Sequence, residues 1–437
     1  MFSYYLMLGV RSLRRNPALT ALMVLTLAVG VAASVSTLTI LHMMSNDPIP
    51  QKSERLFVPI IDNGPLDKDY SPEEKYENTQ ISYQDAMNFV KSGQGVRRTA
   101  LFAVAAPVEP VRKEMPPFFQ SGLAPTRDLF AMFDVPFLHG QGWSEADEAR
   151  GADVVVLSRK LAGKLYGDAN PVGQRVTLMG FPYTVVGVAD DWQPLPRFYQ
   201  LAGGPRFGNS EAFFIPMSNA VRHEAAINGG ISCSTAVAPG YANFLASECT
   251  WVTAWFETAS KGDRRDLQAW LDGYADEQRK LGRLKRHAPN MLYDVGEWLA
   301  YGKVVSKDSR LQAWLAFGFL LLCLVNTVGL LLAKFSVRAS EIGVRRALGA
   351  SRREIFRQFL IETGVVGLVG GVLGLVLAFA ALALLRMANK EMASVATMDV
   401  QMLALTFLLS VGAAVLAGLL PTWRACQVTP AIQLKSQ

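Results

Sequence analysis

Charged side chains are missing from four long stretches of the chain. Pro17 to Asn46, Leu311 to Ala333, Thr363 to Leu385 and Val400 to Trp423 contain no Asp, Glu, Lys or Arg. A helix of about 20 apolar residues crosses a hydrocarbon core of roughly 30 Å, and each block reaches that length. Buried helices of a soluble core seldom run so far without a charge, and four such blocks are harder still to explain that way. The pattern predicts four transmembrane helices. Asn326 and Gln312 are the strongly polar side chains of the second block. No block carries an Asp, Glu, Lys or Arg in its interior, so the spans do not read as a proton or ion path. A cleaved leader is the alternative for the first block, because Arg11, Arg14 and Arg15 precede it and Ala32-Ala33-Ser34 offers small residues. Its apolar run continues through Val35, Leu38, Ile40, Leu41 and Met43, longer than a leader needs, which favours an uncleaved anchor.

Between the first and second blocks lies Asp47 to Arg310, long enough for its own core and for two subdomains. Its patterns mix both element types. Asp153–Leu157 reads as a buried strand, and Ser158 can cap a helix that places Leu161 and Leu165 on one face. Gly167 ends that helix. Arg175–Leu178 and Tyr183–Val188 flank a turn at Met179-Gly180-Phe181-Pro182. Trp251–Phe256 alternates like a half-buried strand. Asp263 to Leu281 carries Leu267, Trp270, Leu271 and Tyr274 at helical spacing, a core face or else a ligand surface. The fold class is an integral membrane α-helical protein with four transmembrane helices. A large α+β extracytoplasmic domain is inserted between helices 1 and 2. The segments are 1–16, span 17–46, domain 47–310, span 311–333, hairpin 334–362, span 363–385, loop 386–399, span 400–423 and tail 424–437.

Charge decides the orientation. With four spans, Met1–Asn16, Lys334–Glu362 and Arg424–Gln437 share one side, where twelve Lys and Arg stand against three Glu. The large segment carries 29 basic and 32 acidic residues. Positive charge stays on the side that is not translocated. Both termini and the hairpin are therefore expected in the cytoplasm of a multi-pass inner-membrane protein, with the large domain periplasmic. The pI near 9.1 then comes from this bias and not from a nucleic-acid patch. Cys233 and Cys249 share the external segment, where a disulfide or two buried thiols are both open. The four His have no ligand spacing, and we find no metal motif and no catalytic constellation. Gly203-Gly204-Pro205-Arg206-Phe207-Gly208-Asn209-Ser210 lacks the Lys of a phosphate loop. No cofactor is expected on this chain.

The hairpin has its own grammar. Ser340 to Leu348 can form a short helix ending at Gly349, and Ser351-x-x-Glu354 is a capping box that opens the next. It is either an interfacial helix on anionic lipid or a docking helix for a cytoplasmic protein. In the third span Gly367, Gly370, Gly371 and Gly374 allow close helix approach, within or between chains.

Glu341-Ile342-Gly343-Val344-Arg345-Arg346-Ala347-Leu348-Gly349-Ala350, then Phe359-Leu360-Ile361-Glu362 and a Gly-rich span, resembles the hairpin of MacB/FtsX-type ABC transporter permeases. Leu420-Pro421-Thr422-Trp423-Arg424-Ala425 and Val428-Thr429-Pro430-Ala431-Ile432-Gln433-Leu434 resemble that family's C-terminal signature, and Arg14-Arg15-Asn16-Pro17 fits its start. Val154–Leu157, Asn170-Pro171-Val172-Gly173-Gln174 and Val185–Val188 resemble its MacB-like periplasmic core. The resemblance implies a non-catalytic permease subunit. It would pair with a second copy or a paralogous permease and bind a separate cytoplasmic ABC ATPase that holds ATP and Mg. ATP-driven motion would pass through the spans to the periplasmic domain by mechanotransmission. By the same analogy Glu341, Ile342, Arg345, Arg346, Leu348 and Gly349 contact the ATPase. Export of periplasmic substrates such as peptides, antibiotics or siderophores, with a periplasmic adaptor and an outer-membrane channel, is the leading function. An FtsX-like regulator of cell-wall hydrolases and a lipoprotein-extraction permease are the alternatives.

Overall fold

The computed structural model describes residues 16–62, 64, 79–110, 115–284, 286–337, 344, 348–389 and 393–396, with eight positions between 404 and 423. The chain divides into two units. Asn46–Val304 forms one, and Met1–Ser45 with Val305–Gln437 forms the other.

In the first unit the strands are β1 (Leu56–Ile60), β2 (Ile81–Ser82), β3 (Arg97–Glu109), β4 (Phe118–Pro125), β5 (Phe137–Gly140), β6 (Val154–Ser158), β7 (Arg175–Leu178), β8 (Phe181–Ala189), β9 (Phe213–Phe214), β10 (Thr250–Glu257) and β11 (Met291–Asp294). They join into one sheet in the order β11-β1-β10-β3-β4-β9-β6-β8-β5. The chain's length suggests two subdomains; the strands themselves are not divided between two sheets. β6 and β8 run parallel, joined through the helix Arg159–Tyr166, while β7 and β8 form an antiparallel hairpin. That hairpin turns on Met179 and Gly180, at φ 55° and 80°. Two consecutive positive φ values are what a two-residue hairpin of this hand requires, and Gly supplies one without strain. Ser158 Oγ accepts from Leu161 N at 3.2 Å and starts the helix whose Leu161 and Leu165 are buried.

Apolar side chains gather in two clusters. Trp251, Val252, Ala254 and Phe256 of β10 join one. Trp255 joins the other, with Phe133, Phe198, Phe214 and Trp298. This corrects the half-buried reading of Trp251–Phe256. From Val252 onward the alternation is real, but it sorts side chains between two cores, and every residue of β10 is buried. The helix Arg264–Lys280 buries Leu267, Leu271 and Tyr274, with Trp270 packed partly against the first cluster, so its aromatic stripe is a core face.

Buried charges in this unit are paired. Asp85 is fully buried; it pairs with Arg283 at 2.9 Å and accepts from Tyr274 Oη at 2.6 Å. Burial first, and then the Asp85 carboxylate, push the Tyr274 hydroxyl well up. Arg283 also forks onto Glu248, at 2.7 and 2.9 Å. Glu248 adjoins Cys249, which is disulfide-bonded to Cys233 across 16 residues. An exposed segment containing the short helix Tyr241–Leu245 is thus tied down at its end. Closing a loop of this length removes unfolded-state entropy worth about 3 kcal/mol. Reduction of the full chain, or the Cys233→Ser/Cys249→Ser variant, should lower the stability of this unit by about that amount in urea titrations. An unchanged midpoint would contradict it.

Asp153 offers a pH test. Burial would raise its carboxyl. Hydrogen bonds from His223 and Asn219, with the Arg222 and His223 charges, outweigh that and hold it below the ordinary aspartate range. A lowered acid contributes stability above its unfolded pKa and loses it as pH falls through the folded value. Asp153→Asn should therefore be less stable than wild type at pH 7, and the difference should fade below about pH 4. A constant difference would show that charge is not the cause.

Candidate functional site

The second unit is built on three helices long and apolar enough to cross a membrane: α1 (Pro17–Ser45), α2 (Lys307–Val337) and α3 (Arg352–Ala388). α2 and α3 overrun their uncharged blocks at both ends, because a helix does not stop where hydrocarbon stops. α2 begins four residues before Leu311, so Lys307, Asp308 and Arg310, counted above with the external domain, belong to it. The fourth block lies largely outside the described residues; Ala404, Leu408, Val411, Gly412, Val415, Gly418, Leu419 and Trp423 are helical.

α1 packs against both neighbours, and glycines permit the approach. A Cβ on Gly370 of α3 would stand 2.9 Å from Leu27, and one on Gly374 would meet the Ala28 carbonyl oxygen and Val31 at 3.0 Å. Gly367 and Gly371 are buried on the same helix. On the other side, a Cβ at Gly30 would stand 2.9 Å from Cys323 of α2, a buried free thiol. These are contacts within one chain. Two hydroxyls of α1 are tied to carbonyls: Ser34 Oγ donates to Ala316 O of α2 at 2.9 Å, and Thr37 Oγ1 to Ala33 O at 2.9 Å. In lipid an unpartnered hydroxyl is costly, so such bonds hold the helices as well as satisfying them.

On the hairpin side the helices are braced by a different set. Phe335 and Phe359 pack with ring centroids 4.4 Å apart and planes tilted by 55°, inside a cluster with Met23, Val24, Leu331 and Ile355. Lys334 Nζ lies 2.6 Å from Glu362 Oε1, with both side chains buried. Thr363, the next residue, packs where a Cβ on Gly418 would come within 2.3 Å of it. α3 opens with the capping box: Ser351 Oγ accepts from Glu354 N, and Glu354 accepts from Ser351 N at 3.0 Å. The backbone and side-chain bonds from Ser351 hold the Glu354 carboxyl below its ordinary range.

Of the residues assigned to the ATPase contact, Glu341, Ile342, Arg345 and Arg346 lie outside the described residues. Val344 is helical, Leu348 N donates to Val344 O at 3.0 Å, and Leu348 is 83% exposed. Gly349 follows at φ +98°, a conformation that a side chain would strain and that ends a helix. An exposed leucine at the tip of a charged loop is available to a partner.

The sequence reading missed the Lys334–Glu362 pair. Both residues border uncharged blocks, and nothing in the spacing shows that they meet. The external unit adds a cleft of about 670 Å³ lined by Ser158, Arg159, Lys164, Asp190, Asp191 and Trp192 among others. Arg159 is already paired there with Asp190, at 2.8 Å. Among the described residues no cluster of His, Cys, Asp or Glu could hold a metal ion.

Residues 20–248 match the family described as MacB-like periplasmic core domain, and residues 313–430 the family described as FtsX-like permease C-terminal. The Pyoverdine export ATP-binding/permease protein PvdT of Pseudomonas entomophila (strain L48) is 29% identical over 252 residues, 57% of this chain and 33% of that protein. The Macrolide export ATP-binding/permease protein MacB of Rhodopirellula baltica is 24% identical over 385 residues, 85% of this chain and 53% of that protein. The matched regions thus span from about a third to about half of these relatives. The periplasmic region of MacB from Actinobacillus actinomycetemcomitans aligns with 56% of this chain and 92% of its own, at 14% identity and TM-score 0.36.

The glycine contacts predict an asymmetry. Gly374→Leu should push α1 from α3 and destabilise the membrane unit by about 1–3 kcal/mol. Gly364→Leu, where no atom lies within 4 Å of a new Cβ, should be tolerated. Steric-trap or SDS unfolding of the two variants in bicelles would read the difference; equal losses would refute it.

Proposed function

Because the chain belongs to the MacB/FtsX-type ABC transporter permeases, we propose that it is an export permease that works by mechanotransmission. It passes ATP-driven motion of a cytoplasmic ATPase, through its spans, to its periplasmic domain. The observation that carries this is the correspondence of two units with two family regions. One match falls mostly on the mixed-sheet unit and the other on the long apolar helices. The permease is an inner-membrane protein with an extracytoplasmic domain. In our reading both termini and the hairpin are cytoplasmic, since twelve Lys and Arg lie there against three Glu. The hairpin around Glu341, Arg345, Arg346 and Leu348 docks the ATPase, which supplies ATP and Mg. A second copy or a paralogous permease completes the transporter.

The relatives that carry the names pyoverdine export and macrolide export favour periplasmic siderophore-like, peptide or antibiotic substrates. Such substrates would leave through a periplasmic adaptor and an outer-membrane channel. Among the described residues the buried side chains of the spans are almost all apolar or hydroxylic, with Lys334 and Glu362 as the charged exception near the hairpin. That suits helices that transmit force better than helices that line a polar path.

Charge reversal tests the docking role. Arg345→Glu/Arg346→Glu should leave membrane insertion unchanged and reduce the ATPase that co-purifies with the chain by roughly tenfold or more, as like charges replace complementary ones. Undiminished co-purification with undiminished ATP-dependent export would sink it.

A further inference from the structure

Among the described residues, the hairpin's two stems meet at an ion pair. Lys334 and Glu362 are 0% and 2% exposed in their side chains, with Nζ and Oε1 2.6 Å apart. Lys334 is the residue after the second apolar block, and Glu362 is the residue before the third. α2 ends three residues beyond Lys334, at Val337. α3 has already run ten residues, from Arg352, when it reaches Glu362. At about 1.5 Å per residue, a stem of roughly 15 Å stands between the capping box and the pair. The pair therefore marks the place where that stem enters the apolar layer.

The surroundings make a charge pair an unexpected choice. Phe335, Phe359, Leu331 and Ile355 already hold α2 and α3 together with Met23 and Val24 of α1. Removing two charges from water is costly, and apolar side chains of similar size often hold a contact as well or better. Apolar contacts can also slide. A short ammonium–carboxylate contact does not, because a shift of one helical residue would pull the buried charges away from each other. Burial thus turns the pair into a device for setting register.

We propose that Lys334 and Glu362 are positioning residues that pin the stem of α3 at one height against the end of α2. A force on the hairpin then moves both helices as one body. This inference rests on the transmission reading given above. Without the pin, the same force would be lost in sliding between the stems, although the membrane unit would remain folded.

Two variants separate the charge from the packing. Lys334→Leu/Glu362→Leu keeps an apolar contact without the pin, and Lys334→Glu/Glu362→Lys restores the pair in reverse. Nitroxides at Val337→Cys and Arg353→Cys, both exposed, would report the register of the full chain in nanodiscs, with Cys323 and Cys426 replaced by alanine. Pulsed EPR should give one narrow distance distribution for wild type. The double-leucine variant should be at least twofold broader, and the swapped variant narrow again. A double-leucine distribution as narrow as wild type would overturn the proposal, and so would a swapped variant as broad as the double-leucine one. If the double-leucine chain is not recovered from membranes, the swapped chain decides alone: narrow supports the pin, broad refutes it. A second arm uses the chain co-purified with its ATPase and compares hydrogen exchange in the external unit with ADP and with ATP–vanadate. The wild-type difference should fall at least fivefold in the double-leucine variant while ATP hydrolysis continues; an undiminished difference would refute the pin's role in transmission. If wild type itself shows no difference, the transmission reading fails, and the nanodisc distances still decide the pin.

Discussion

A bilayer offers backbone polar groups no water, so a chain that crosses it must satisfy them within helices, and helices in lipid gain little from apolar surface alone. What holds such helices together is close approach. In this protein α1 lies against α2 and α3 because glycines remove the side chains that would keep them apart. Gly30 faces Cys323, and Gly370 and Gly374 face Leu27, Ala28 and Val31. The rest of the membrane unit depends on that wedge. The Ser34 hydroxyl reaches the Ala316 carbonyl only because the backbones are near, and Met23 and Val24 complete the cluster around Phe335 and Phe359.

The two units are built in different ways. Among the described residues the membrane elements are few, long and closely packed, with one buried ion pair, Lys334–Glu362, near the hairpin. Outside, a mixed sheet separates two apolar cores, and its buried charges, Asp85 with Arg283 and Arg197 with Glu211, are paired and hydrogen-bonded. A sheet with both faces covered deforms little. Such a unit suits being moved as a body, as the proposed mechanotransmission would require.

Much of this was legible in the sequence, and the reasons are local. The spans follow from the absence of charge, the Ser351 and Ser158 caps from hydroxyls placed three residues ahead of a helical donor, and the Met179-Gly180 turn from one glycine between two strands. What was hidden depends on distant partners. The alternation in Trp251–Phe256 predicts two faces but not that both are buried, since that requires an apolar cluster of distant residues against each face. The glycines of α3 predict close packing but not that α1 is the partner. The ends of α2 and α3 lie beyond the loss of hydropathy, so the Lys334–Glu362 contact fell at the edges of two blocks and looked like a piece of a solvated hairpin. For Cys233 and Cys249 the spacing left both a bridge and free thiols open, and only their positions beside Ser232 and Thr250 decide it.

In the proposed mechanism, ATP turnover at a cytoplasmic partner moves the extracytoplasmic unit. The direct measurement is a distance across that unit and its neighbour in the native complex, taken by double electron–electron resonance in lipid nanodiscs with ADP and again with ATP–vanadate. The account predicts a shift of several ångströms between the two states that disappears when the ATPase is left out. Steady ATP hydrolysis with the same distance in both states would contradict it.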